Sequence, residues 1–305
     1  MLLLAGSRHR LSIDVDVICP PGTEIENYLK DFRQFGFLDV ETIERIQRGT
    51  NIPKSHSKFF YRISFRENNA RPGSILLDVL YEDSHYSIVE RVPVRSPFIE
   101  LDDNPFLVNI PSVDDILGDK LTAFAPNISG IPYYKGDKDC YLEIAKQLYD
   151  IERLFDSMDD LTTVASAYDR IARVELSYRR MVENPSLSLQ DTFETALCVS
   201  TRGLEGRGDF AALQNGISRL RSFMYLGKYQ IEQAVVDAAK AAYLSTLITT
   251  GNNSFERYDG GSVSSLPLPP SVPKRLGKLR LPSPEAYFYW VKAGELLTEE
   301  GLNYL

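Results

Sequence analysis

The sequence predicts an α+β fold in two parts, with strands first and helices after. Three features carry that prediction. The first third holds runs whose apolar residues recur every second position. From Ser112 onward the period changes to that of a helix. Beyond that point helical patterns follow one another with short polar connections, broken once by a stretch rich in Gly, Ser and Pro.

Taken in order, Leu11–Cys19 alternates Ile13, Val15 and Val17 with Ser12, Asp14 and Asp16, the pattern of a half-buried strand. Pro20, Pro21 and Gly22 end it, and Thr23 is placed to cap a helix running to about Phe35, with Glu24 and Glu26 suited to its positive first turn. Lys58–Phe65 and Ser74–Tyr81 read as two more strands joined through Asn68, Asn69, Pro72 and Gly73. Val89–Val94 and Phe98–Leu101 read as shorter ones. Ser112 is a helix N-cap with Asp115 three residues on, and Ile116, Leu117, Leu121 and Phe124 give the apolar stripe. Helices are expected over about Tyr141–Phe155, Leu161–Val182, Ser188–Ser200, Asp209–Met224 and Tyr229–Thr249. A Gly/Ser/Pro-rich loop over 252–273, ordered by contact or mobile, leads to a last helix from Ser283 or Pro284 to about Leu297.

Composition excludes several classes. The chain of 305 residues is 43% hydrophobic and 25% charged, in the range of soluble globular proteins. No apolar run approaches the roughly 18 residues that span a bilayer. The opening Met1–Leu4 is too short for a signal-peptide core. Cys19, Cys140 and Cys198 have neither zinc nor disulfide-framework spacing, so a cytoplasmic setting is expected. A net charge of −8 argues against non-specific coating of nucleic acid and leaves binding through a local basic groove open.

Asp14 and Asp16 occupy alternate positions of one strand, so their carboxylates share a face about 7 Å apart. Like charges so placed favour a cation between them, and magnesium carried by substrate phosphates suits one or two carboxylates. A third acid on a neighbouring strand completes a site for in-line phosphoryl transfer, and Asp78, between Leu77 and Val79, is the candidate. The same spacing also describes the solvated face of an amphipathic strand, and spacing alone does not separate the two readings.

The stretch Arg10-Leu11-Ser12-Ile13-Asp14-Val15-Asp16-Val17 resembles the R-x-S-x-D-h-D-h strand of the AbiEii/AbiGii toxin family of nucleotidyltransferases. Ile116–Pro126, around Lys120, is similar to that family's helix bearing an essential lysine. Gly130-Ile131-Pro132-Tyr133 and Lys146–Ile151 are similar to the segment that follows, and the resemblance spans about Leu3 to Asp156. It implies a nucleotidyltransferase-fold, polymerase-beta-like mixed sheet over about residues 1–108 and a helical domain over 109–305. By the same resemblance Asp14, Asp16 and Asp78 are ligands of Mg2+ or Mn2+. Lys120 neutralises triphosphate charge, Asp150 is a further acid needed for activity, and Arg10 and Ser12 join Lys120 in binding substrate. The implied reaction transfers a nucleoside monophosphate from a nucleoside triphosphate to an acceptor, an RNA such as tRNA. The implied setting is a toxin–antitoxin or phage-defence pair with a cognate antitoxin. Read without the resemblance, Lys120 is a surface lysine and Asp150 a surface helix acid pairing with Lys146.

The family places a Gly-Gly-Thr or Gly-Ser turn about nine to thirteen residues before the first aspartate, where backbone amides hold phosphates. Gly6-Ser7 stand too close to Asp14 for that role. The expectation is a reading frame that begins late, with weak activity in this form. The rival readings are a nucleotide-binding protein of the same fold with impaired catalysis and a nucleotidyltransferase acting on a small molecule. His9, His56 and His85 lack ligand spacing. Lys274–Arg280 reads first as a solvated basic loop, Tyr287–Trp290 as core, and Arg62 and Arg66 as candidates for the cleft.

Overall fold

A computed structural model describes residues 10–12, 14–43, 52, 54–61, 72–95, 105–225 and 227–301. The fold is α+β, in two compact units: a strand unit of residues 11–85 with 178–180, and a helical unit of Arg10, residues 86–177 and the chain from Met181 on.

The strand unit is one four-stranded mixed sheet. Its elements are β1 (Asp14–Cys19), the short helix α1 (Glu26–Leu29), β2 (Phe37–Ile43), β3 (Lys54–Tyr61) and β4 (Gly73–Tyr81), in the order β1-β4-β3-β2. β1 lies parallel to β4; β4, β3 and β2 are antiparallel neighbours. One face buries Phe59 and Val79, with Ser57 beside them. The rings of Phe32 and Phe37 stand 6.3 and 5.2 Å from that of Phe59 and fix its place.

Three expectations change here. The helix from Thr23 is a single turn followed by a 3-10 turn at Phe32–Phe35, because the Thr23 hydroxyl donates back to the Pro20 carbonyl at 2.7 Å instead of capping a helix. Gly36, at φ +87°, then ends the turn in the left-handed conformation. β3 begins at Lys54, four residues before the expected start, and its expected continuation beyond Tyr61 lies outside the described residues. β2 was not expected, although Leu38-Asp39-Val40-Glu41 alternates as a strand should. The expected strand Phe98–Leu101 and the residues Arg62 and Arg66 also lie outside the described residues.

The helical unit opens with a hairpin of β5 (Val89–Pro93) and β6 (Leu107–Pro111), followed by α2 (Val113–Ala123). Ser112 caps α2 as expected, its hydroxyl accepting from the Asp115 amide at 3.1 Å. Asp115, fully buried, accepts from the Ser87 and Ile88 amides at 2.8 and 2.9 Å, so the start of the helix is pinned to the chain that enters the hairpin. A small hairpin, β7 (Tyr134–Lys135) and β8 (Lys138–Asp139), precedes α3 (Tyr141–Ser157), α4 (Leu161–Tyr178), α5 (Pro185–Ser200), α6 (Phe210–Leu220), α7 (Ile231–Thr249) and α8 (Pro284–Glu299).

α3 and α7 carry the core. Ile144, Ile151, Leu154 and Phe155 of α3 are fully buried, and α7 buries an Ala-rich surface (Ala234, Ala238, Ala239, Ala241, Ala242) that lets α5 and α8 approach closely. Tyr287, Tyr289 and Trp290 are core residues, as helical spacing suggested; the Trp290 indole donates to Ser200 Oγ at 3.1 Å. The Gly/Ser/Pro-rich segment is ordered by contact: Val263 and Val272 are buried, the Tyr258 amide donates to the Tyr289 hydroxyl at 3.1 Å, and Arg257 reaches the Phe155 carbonyl at 3.1 Å. In the basic run after it, Arg280 is taken up by the Leu266 carbonyl at 3.0 Å and Arg275 stands 3.6 Å from Glu205. Among the described residues no helix is long and apolar enough to cross a membrane.

Candidate functional site

Each unit brings sequence-predicted site residues together, by different means. In the strand unit the means is register. β1 and β4 run parallel with Asp16 directly opposite Asp78 and Asp14 opposite Leu76. Because neighbouring registered residues point to the same side of a sheet and strand positions alternate, Asp14, Asp16 and Asp78 all belong to the polar face, away from buried Val79 and Phe59. Asp16 is exposed and the other two are half-buried. β1 is an end strand of the described sheet order, so its outer edge is not paired by a further strand there.

The acids are aligned in backbone position, yet among the described residues no group of three or more His, Cys, Asp or Glu side chains stands close enough to hold a metal ion together. Their donors are hard carboxylate oxygens, the kind that magnesium and manganese take together with phosphate and water. Ser12 is exposed and its hydroxyl turns toward the backbone of Asp14, 3.4 Å from the amide. Gly6 and Ser7 lie outside the described residues.

The sequence also carried a signal that went unread. β3 alternates Lys54, His56 and Lys58 with serine. The register sets Lys54 and Lys58 opposite Leu80 and Leu76, on either side of Asp78 and on its face of the sheet. Lys58 lies over the Phe60 ring at 5.1 Å. Period-two alternation of basic residues is as legible as that of apolar ones. It was missed because the strand was started at Lys58.

In the helical unit the means is helix packing. Lys120, in the last turn of α2, is 22% exposed at its side chain, and its ammonium stands 3.9 Å from Asp150 Oδ2 on α3. Asp150 is almost completely buried. Arg10 grips both of its oxygens, Nε donating to Oδ1 at 3.0 Å and Nη2 to Oδ2 at 2.8 Å. Such a fork is the strong, bidentate form of a carboxylate pair. Arg10 is held further by a backbone bridge to Met224. Asp150 is therefore no surface helix acid. Lys146, its expected partner, lies over the Phe223 ring at 4.8 Å.

The chain's residues 1–221 match a family model described as nucleotidyl transferase AbiEii toxin, Type IV TA system. The chain belongs to the AbiEii nucleotidyl transferase toxin family. The match takes in every residue named above as a candidate, from Arg10 to Asp150, and ends just beyond α6; α7 and α8 lie after it. A comparison with curated proteins gives no match.

A second charged group lies among the helices. Lys240, 2% exposed, donates to Glu152 at 3.0 Å and Asp156 at 2.7 Å and stands 3.0 Å from Glu285. Burial pulls its pKa down, but Glu152, Asp156 and Glu285 outweigh that, and the net direction is up. Asp237 nearby is pushed well above the ordinary carboxylate range by burial first and by Glu152 second, while the Tyr229 hydroxyl donates to it at 2.6 Å. Lys240, Glu152 and Asp237 are buried among core helices, while Asp156 and Glu285 reach the surface.

Proposed function

We propose that this protein is a metal-dependent nucleotidyltransferase that moves a nucleoside monophosphate from a nucleoside triphosphate to an RNA acceptor such as tRNA. In this reading it acts in the cytoplasm as the toxin of a toxin–antitoxin pair, on a nucleotidyltransferase-fold sheet. The supporting observation is the β1–β4 register, which aligns Asp78 with Asp16 on the face that also carries Asp14. Family membership supplies the reaction class.

In this proposal Asp14, Asp16 and Asp78 hold Mg2+ or Mn2+, which when bound supplies positive charge to the phosphates. The acceptor hydroxyl oxygen forms a bond to the α-phosphorus as the bond from that phosphorus to pyrophosphate breaks, and the hydroxyl proton passes to solvent water. Lys120 offsets charge on the triphosphate with a compact ammonium. In the same reading Ser12, whose hydroxyl lies near the Asp14 backbone, donates to a phosphate oxygen.

The test uses the four labelled nucleoside triphosphates with Mg2+ or Mn2+ and total tRNA. Transfer that falls by about a hundredfold or more in Asp16→Asn, Asp78→Asn and Lys120→Ala, with melting temperatures unchanged, supports the proposal. Robust transfer by Asp16→Asn, or none by the wild-type protein with any nucleotide, refutes it.

A further inference from the structure

Asp150 is the one acid of the family resemblance that the structure places in the interior, and its partners decide what work it can do. Both of its oxygens are engaged by Arg10, at 2.8 and 3.0 Å. A carboxylate gripped by a guanidinium fork and shut from water is a poor metal ligand, because binding a metal means giving up charge-assisted bonds in a low-dielectric setting. Lys120 stands farther off, 3.9 Å from the oxygen that Arg10 Nη2 already occupies, and is the most exposed of the three. Within this trio two cations share one anion, the nearer one takes most of it, and the trio itself carries one surplus positive charge at the member that meets solvent.

We infer that Arg10 and Asp150 are positioning residues for Lys120: Arg10 satisfies Asp150, and so Asp150 tethers the lysine ammonium without neutralising it. Lys120 is thereby presented, oriented and still charged, to the polyphosphate of a nucleotide. Were Arg10 absent, Asp150 would turn to its remaining cation. Lys120 would be drawn from its loose 3.9 Å contact into a close buried pair, and the surplus charge would vanish. This assigns Arg10 a role through Asp150 rather than on substrate, and Asp150 a role through Lys120 rather than on metal. It rests on the proposed reading of Lys120 as the phosphate-facing cation.

The sign of each substitution follows from the charge count. Arg10→Met removes the competitor and leaves the lysine neutralised. Asp150→Asn removes the tether's charge and leaves Lys120 fully cationic. Joined, the two restore one surplus positive charge with no buried anion to capture it. A role in structure alone predicts the reverse for the pair, since two losses of packing and bonding do not repair each other.

The experiment measures binding of inorganic tripolyphosphate by calorimetry, with divalent ions chelated, to the full chain. Folding of each variant is followed by circular dichroism, and Arg10→Lys, which keeps charge but loses the fork, is measured alongside. Arg10→Met is expected to weaken binding about tenfold, Asp150→Asn to bind at least as tightly as wild type, and the double variant to return to within about threefold of wild type. Arg10→Lys is expected to fall between wild type and Arg10→Met. A double variant no better than Arg10→Met, or a folded Asp150→Asn that loses binding, overturns the inference. Equal binding by wild type and Lys120→Ala overturns it too. Because this readout needs neither metal nor transfer, the expected pattern in a protein that transfers no nucleotide leaves the positioning role standing while the enzyme reading falls.

Discussion

The position of Lys120 depends on a glycine two residues before it. Gly118 lies on the face of α2 that meets α4, and a methyl group there would stand 2.7 Å from the Tyr168 amide nitrogen, 2.7 Å from the Val164 carbonyl oxygen and 2.9 Å from Ala167 Cβ. Two of these neighbours are backbone and the third is a Cβ, so none can rotate away. Carbon contacts are comfortable only beyond about 3.5 Å, so Gly118→Ala obliges α2 to back off α4 by at least half an ångström. Overpacking of this kind costs about 1–3 kcal/mol, and the better helix propensity of alanine returns up to about 1 kcal/mol. A net loss of about 1–2 kcal/mol lowers the melting temperature by roughly 2–8 °C for a unit of this size. The shift also carries Lys120 with it, and a misplacement near 1 Å is enough to cost about a hundredfold in a positioned reaction. Thermal denaturation followed by circular dichroism, together with nucleotide transfer by the same preparation, measures both effects. An alanine variant that melts at or above the wild-type temperature would show that the α2–α4 contact is not the constraint described.

Asp237→Asn probes the buried acid beside Lys240. With its folded pKa raised above the ordinary 3.8, Asp237 contributes stability that is fully present below its unfolded pKa and is lost as pH rises through the folded value. Asparagine keeps an acceptor for the Tyr229 hydroxyl and cannot ionise. Its melting temperature relative to wild type should therefore climb as pH rises from 4 to about 8, and a difference that is flat with pH contradicts the shift. Asp115→Ala removes the acceptor of the Ser87 and Ile88 amides and of the Ser112 hydroxyl, and a loss of about 2–4 kcal/mol in denaturant titrations is expected; a loss below 1 kcal/mol would mean water replaces it readily. Lys54 and Lys58 flank Asp78 diagonally in the register, so changing both to Gln should tighten Mg2+ binding severalfold at low salt and hardly at all at high salt, as read by calorimetry; a salt-independent effect would point to a cause other than the sheet's charge.

How much of this was legible in the sequence varies with the interaction that decides each feature. The Ser112 cap, the helices from Tyr141 on and the core role of Tyr287–Trp290 follow from local pattern, and they stand where the pattern put them. The Asp14–Asp16 strand was legible for the same reason, and so was the candidacy of Asp78. That β1 runs parallel to β4, with Asp16 opposite Asp78, is a matter of pairing between segments sixty residues apart, which no window of sequence contains. The helix at Thr23 was misjudged because a serine or threonine hydroxyl has two outlets, the following amides or a preceding carbonyl, and composition does not choose between them. The i−4 spacing of Lys146 to Asp150 misleads for a related reason. Lys146 lies at the right helical spacing, but an arginine 140 residues away in the chain holds the carboxylate.

Burial separates the two sets of aspartates in kind. An acid taken out of water needs a cation, hydrogen-bond donors or a proton, since an unpaired buried charge costs several kcal/mol; with Arg10 on Asp150, that carboxylate is committed. Asp14, Asp16 and Asp78 stand on a sheet face where Asp16 remains exposed, and their desolvation cost is small. The price of their arrangement is mutual repulsion in water, about 0.6 kcal/mol for Asp14 and Asp16 near 7 Å and about 0.8 kcal/mol for the facing Asp16 and Asp78 near 5 Å, which salt and the lysines of β3 reduce further. A repulsion that small is easily carried by the fold, and a divalent cation reverses its sign. The buried aspartate is thus suited to holding a neighbour in place, and the exposed row is suited to receiving something from solution. The same residue type serves both ends because the fold decides how much water each carboxylate keeps.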